Sequence, residues 1–191
     1  MRVPSSQVFS HALGVFATDG YGDQAVLSSS LHQLWAITYG STLETRVRYT
    51  PSDVFETFPR PAVTDRLTAI GRILEDERRD IMRRRELGLT KLYNLVNDPT
   101  VTADADVVRM REIHVEIDDA VLDSFGWADV ASSHGFHVYR QVARWGPNTE
   151  ARTELLDRLL LENHARAAAG LTVPTVRVVG SAPIGSGTLF D

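Results

Sequence analysis

The sequence predicts an α+β fold that is predominantly α-helical: a small β/α segment followed by a helical bundle. Three observations carry this prediction. Beyond Pro61 apolar residues recur at helical spacing almost to Ala168, whereas before it they fall in short runs broken by Gly, Pro and Ser. The 191 residues are 43% apolar and 24% charged, enough apolar surface for one core. One-sided helices gain most of their stability by burying the apolar face, so the helical stretches must pack on one another. The composition break divides the chain into residues 1–61, a helical domain over 62–169 and a flexible tail over 170–191.

Val8 to Thr18 is short, apolar and tolerant of a strand, and Asp19-Gly20-Tyr21-Gly22 is turn chemistry. From Val26 to Tyr39, Leu27, Leu31, Leu34 and Trp35 mark the buried face of one helix, with Gly40 as its stop and Trp35 in the core. Leu43, Val47 and Tyr49 alternate with Glu44, Arg46 and Arg48, the pattern of a half-exposed strand ended by Pro51. Ser52 to Phe58 is a turn or single helical turn, and Pro59-Arg60-Pro61 forces extended backbone.

Leu67, Ile70, Leu74 and Ile81 then form the stripe of a long helix ending near Gly88, followed by a short helix from Leu89 to Val96 closed by Asn97-Asp98-Pro99. Val107, Met110, Ile113, Ile117, Val121 and Phe125 make a third helix with Gly126-Trp127 as its exit. His134 to Trp145 reads as a hairpin or irregular loop, and Asn148 or Thr149 caps a last helix with Leu155, Leu156, Leu159 and Leu160 on one face.

Charge is distributed unevenly about the formal net value of -5. Residues 1–61 hold four basic and five acidic side chains, residues 62–97 eight and six, and residues 98–191 eight and fourteen. Such a balance weighs against a free-standing nucleic-acid binder and suits a module added to a complex whose main electrostatic grip lies elsewhere. There is no long apolar run and no basic-then-apolar start, so no membrane partner is expected and the expected location is cytoplasmic. With no cysteine, disulfides and thiolate metal sites are excluded.

Catalytic signatures are weak throughout. Gly180, Gly185 and Gly187 precede no helix and form no nucleotide cradle. Asn97-Asp98-Pro99-Thr100 lacks the second proline and the aromatic of an amino-methyltransferase motif. His134 and His137 near Asp129 have no third strong ligand, and His114, Glu116 and Asp118 alternate along a helix, so no metal site is expected. Lys91 is the sole lysine, which argues against a lysine-dependent nuclease. The chain therefore offers no catalytic, cofactor-binding or metal residues. As DNA contacts, Arg46, Arg48, Tyr49, Thr50 and Ser52 are candidates because donors on a strand and turn can reach a groove edge; a solvated strand edge is the other reading. Arg79 and Arg83, within the cluster Arg78, Arg79, Arg83, Arg84 and Arg85, could grip phosphates or could pair with Glu75, Asp76, Asp80 and Glu86.

The ordered phrases SSSLHQLW, YGS, RYTPSDVFETFPRP, RRDIMRRRELGLTKLYNLVNDP, MREIHVEIDDAVLDSFGW, HGFHVYRQVARW and ELLDRLLLENHARAAAG carry a family likeness. From about Val8 to Gly170 the chain resembles the C-terminal part of single-chain adenine-specific DNA methyltransferases of type IIG-like restriction-modification and related phage-defence systems. The resemblance implies the end of a target recognition domain over residues 1–61 and the helical region that follows it. It also implies double-stranded DNA and an upstream methyltransferase domain or subunit as partners, with S-adenosylmethionine bound there and not here. Three functions are left to compare: a non-catalytic DNA-recognition fragment, an α-helical protein-interaction module without DNA contact, and an inert remnant.

Overall fold

In the computed structural model, which describes residues 16, 18, 20–43, 46–139 and 142–170, Ser29 divides the helix expected from Val26 to Tyr39. The Ser29 side chain accepts from the His32 N–H, capping α2 (Ser30–Tyr39), and donates to the Val26 carbonyl at the end of α1 (Tyr21–Ser28). Tyr21 and Gly22, expected in a turn, are instead the first turn of α1. Gly40 ends α2 as expected, and a hairpin follows, with β1 (Ser41–Leu43) antiparallel to β2 (Arg46–Arg48). Pro51 then opens the single turn α3 (Pro51–Val54), a position where its missing N–H costs nothing.

Thr64, Asp104 and Asn148 cap the three long helices, α4 (Asp65–Arg84), α6 (Ala105–Phe125) and α7 (Thr149–Ala168), each by accepting a first-turn amide. The short α5 (Leu89–Val96) lies between α4 and α6 in sequence, and Gly126 closes α6 in a left-handed conformation with φ of 74°. The stretch from His134 is a regular ribbon, β3 (His134–Tyr139) antiparallel to β4 (Val142–Pro147), with Phe136 opposite Trp145. The fold is thus predominantly helical with two small antiparallel ribbons. No helix among the described residues is long and apolar enough to cross a membrane. The strand expected over Val8 to Thr18, apart from residues 16 and 18, lies outside the described residues, as does the expected flexible tail beyond Gly170.

One hydrophobic core joins Ala25, Leu31, Trp35 and Phe58 to Leu67, Leu74, Ile113, Ile117, Leu155 and Leu159. Packing therefore crosses the composition break at residue 61 without interruption. The α1 and α4 helices cross closely where Gly71 of α4 leaves room for the Tyr21 carbonyl of α1. The apolar face of α7 is consumed in this core, since Leu155 and Leu159 are fully buried.

Candidate nucleic-acid interface

Residues 49–60 form a ledge fixed to the helical body at several points. Trp35 on α2 donates its indole N–H to the Thr57 hydroxyl at 3.0 Å, and Asn163 on α7 donates to the Thr57 carbonyl at 2.6 Å. Arg166, one turn further along α7, donates to the Arg60 carbonyl at 2.6 Å. Beneath these bonds Val54, Phe55 and Phe58 are buried, and the Arg60 guanidinium lies 4.6 Å from the centre of the Phe55 ring. The stretch from Tyr49 to Arg60 that follows the β1–β2 hairpin in sequence is therefore fixed to α2 and α7.

The predicted contact residues fare differently on this ledge. Arg46 and Arg48 occupy β2, in register with Leu43 and Ser41 of β1, and their side chains lie outside the described residues. Tyr49 is turned inward: its hydroxyl is 3.1 Å from His32 Nε2 and its ring meets Phe16 edge-on. Burial raises its phenol above the usual value. Tyr49 is thus a half-buried anchor of the ledge. Thr50 is half-buried at the N-cap of α3, where its carbonyl accepts from the Asp53 and Val54 amides. Ser52 is exposed and donates its hydroxyl to Asp53.

On α4, ion pairing prevails over free arginines. Arg79 binds Asp76 at 2.8 Å and reaches Asp80 at 3.6 Å, and its hydrogen bond to Asp76 raises its basicity. Arg78 is buried against Glu75 at 2.8 Å, while Arg84 and Arg85 cross to Asp106 and Asp104 at the start of α6. Those two partners are remote in sequence, so i,i+4 reasoning could not find them. Arg83 is exposed on the last turn and makes no ion pair among the described residues. The ledge and the arginines of α4 occupy different parts of the fold, the ledge on α2 and α7, the arginines beside α6.

Helical and strand spacing do not reveal the buried histidines His32, His114 and His134. His32 Nδ1 lies 3.0 Å from the Leu27 carbonyl, which can only accept, so this nitrogen carries the proton and Nε2 accepts from Tyr49. The ring is neutral, and burial lowers its pKa to about 4. His114 is held in the same way, with Nε2 3.0 Å from the Tyr93 hydroxyl and burial again lowering its basicity. His134 is the opposite case. Its Nδ1 faces the Ser132 carbonyl and its Nε2 lies 2.8 Å from Asp118, two acceptors that favour the protonated ring. Burial pulls this imidazole down, but the hydrogen bond and charge of Asp118 outweigh it and raise it. Asp118 shares a helix face with His114 at i,i+4, a spacing that the alternation of His114, Glu116 and Asp118 concealed. Among the described residues no group of three or more His, Cys, Asp or Glu is placed to hold a metal ion.

These assignments fix a pH dependence. The folded pKa of His32 lies below its unfolded value of 6.5, so its contribution is complete above pH 6.5 and is lost as pH falls towards 4. That difference is worth roughly 3 kcal/mol at about 1.4 kcal/mol per unit. His114 works in the same direction, whereas the contribution of His134 is complete below its unfolded value and is lost as pH rises through its folded pKa. His32→Gln is expected to flatten the fall in unfolding free energy between pH 6.5 and 4, measured by urea denaturation at stepped pH. An acid limb as steep as in the wild type would refute the assignment of a neutral His32.

The chain matches no protein-family model, no curated protein and no solved structure.

Proposed function

We propose that this chain is a non-catalytic DNA-recognition part of an adenine-specific DNA methyltransferase. In this reading the β1–β2 hairpin touches double-stranded DNA and the helical body holds the hairpin in register with a methyltransferase domain or subunit. That domain binds S-adenosylmethionine and performs the transfer on a base turned out of the stack. The observation that supports the reading is the tethered ledge: a segment that carries part of the family likeness is fixed to α2 and α7 by Trp35, Asn163 and Arg166. Recognition needs such rigidity, because a contact that must be ordered on binding loses affinity to that ordering. Within the proposal Arg46 and Arg48 are the principal contacts and Arg83 an outlying phosphate contact.

Arg46→Ala/Arg48→Ala is expected to weaken duplex binding of the chain together with its methyltransferase roughly tenfold. The slope of log affinity against log salt should fall by about two, one for each lost phosphate contact. Arg79→Ala, removing a side chain already held by Asp76, should leave both nearly unchanged. Equal loss from both variants would reject the ledge as the contact surface.

A protein-docking module without DNA contact is the second reading, favoured by the ion pairing of Arg79, Arg84 and Arg85. Under it Arg46→Ala/Arg48→Ala changes nothing in DNA binding. Variants of Leu155 or Leu159 cannot test docking, since both side chains are core and their loss reports on folding.

A further inference from the structure

A groove runs between α2 and β4, with Leu34 and Trp145 as apolar lining and Ser30, Gln33, Arg144 and Arg152 as polar lining. No carboxylate is among the described residues that line it. Arg144 is exposed and makes no ion pair among the described residues, whereas Arg66, Arg79, Arg84, Arg109, Arg158 and Arg166 each hold a carboxylate. Arg144 thus brings a positive charge to the groove on a chain that is acidic overall, and Arg152 beside it donates to the Thr149 hydroxyl at 3.3 Å.

The two walls are tied together in advance. Asp118 accepts from the Ser30 N–H at 2.7 Å on the first residue of α2, and from His134 at 2.8 Å on β3. His134 pairs in register with Pro147 of β4, so one buried carboxylate sets the spacing of the walls. Trp145 is seated from behind by Phe136 and by the Arg111 guanidinium, 5.3 Å from its ring, and its buried indole N–H has no acceptor among the described residues. The lining offers the Arg144 and Arg152 guanidiniums and the donor groups of Ser30 and Gln33, a chemistry that suits an anion.

We propose that this groove takes a phosphodiester of the DNA backbone, with Arg144 and Arg152 holding its oxygens and Ser30 and Gln33 adding donors from α2. The proposal rests on the recognition role above and adds a second contact, because α2 also carries Trp35 and His32, which seat the ledge. Guanidinium forks suit phosphate oxygens, and such contacts carry no sequence information but fix the register of the protein on the duplex. Asp118 is then a positioning residue: it touches no DNA but sets the distance between the walls.

The test uses the full 191-residue chain, titrated with a mixed-sequence duplex at rising salt and followed by anisotropy. Arg144→Gln/Arg152→Gln is expected to weaken binding about tenfold and to lower the salt slope by about two, while Arg144→Lys, which keeps the charge, retains most of both. Thermal unfolding run in parallel checks the fold. If the double variant melts early, the single Arg144→Gln variant, at an exposed position, carries the test with a slope change of about one. Arg46→Ala/Arg48→Ala is measured beside it. Loss in the strand variant with no loss in the groove variant overturns the groove and leaves the recognition role standing; no loss in either overturns both. Absence of wild-type binding at about 0.05 M salt overturns the groove as a DNA site. Displacement of the duplex by poly-glutamate as readily as by a second duplex of equal charge overturns the phosphodiester in favour of an acidic peptide.

Discussion

Arg111→Met is expected to lower the unfolding free energy by at least about 3 kcal/mol, the larger of the two strongest effects on stability. The Arg111 side chain leaves α6 and donates to the carbonyls of Leu95, Val96, Asp98 and Val101, at 3.3, 3.0, 2.9 and 2.7 Å. Those carbonyls end α5 and form the turn after it, where a helix has no amides left to give and carries its partial negative charge. The same guanidinium lies 4.8 Å from the Phe136 ring, so it also carries the β3–β4 ribbon. Methionine keeps the volume but supplies no donor, which leaves the Val96 and Val101 carbonyls to water or to nothing, while those of Leu95 and Asp98 keep the Asp98 and Val101 amides. Lysine keeps the charge but not the fork, and should recover less than half of the loss. Denaturant unfolding of the three proteins measures this directly. A loss under about 1 kcal/mol for Arg111→Met would mean that solvent already satisfies the turn.

Gly71→Ala is expected to cost about 3 kcal/mol and to lift α1 from α4. An added Cβ would stand 2.0 Å from the Tyr21 carbonyl oxygen and 2.7 Å from its carbon, both of them backbone, so no side-chain rotation can relieve the contact. Helix propensity pulls the other way by about 1 kcal/mol in favour of alanine. The steric term exceeds it, and the Gln24 to Glu75 hydrogen bond at 2.7 Å should be lost with the displacement of α1. Amide hydrogen exchange should show α1 opening well before α4 in the variant. A rise in melting temperature, the result that propensity alone would give, would contradict the close crossing.

Much of this architecture was legible in the sequence because amphipathic spacing reports burial. Leu67, Leu74, Ile113, Ile117, Leu155 and Leu159 are all core, and Asn148 and Gly126 punctuate their helices where turn and cap chemistry places them. What could not be read is set by pairings distant along the chain. Ser29 breaks one apparent helix in two because its side chain serves both ends, a choice that the apolar period does not record. Tyr49 alternates like a strand residue, yet His32, seventeen positions earlier, draws its hydroxyl inward. Arg84 and Arg85 read either as phosphate contacts or as partners of carboxylates on their own helix, whereas α6 brings Asp104 and Asp106 against them. The α2–β4 groove joins residues more than a hundred positions apart, so no local pattern could have announced it.

The recognition role itself is tested most directly by the duplex affinity of the methyltransferase domain measured with and without this chain, across a salt series. Adding the chain is expected to tighten binding and steepen the salt slope, and the Arg46→Ala/Arg48→Ala chain to restore only part of the gain. An affinity and slope identical to those of the methyltransferase domain alone would contradict it.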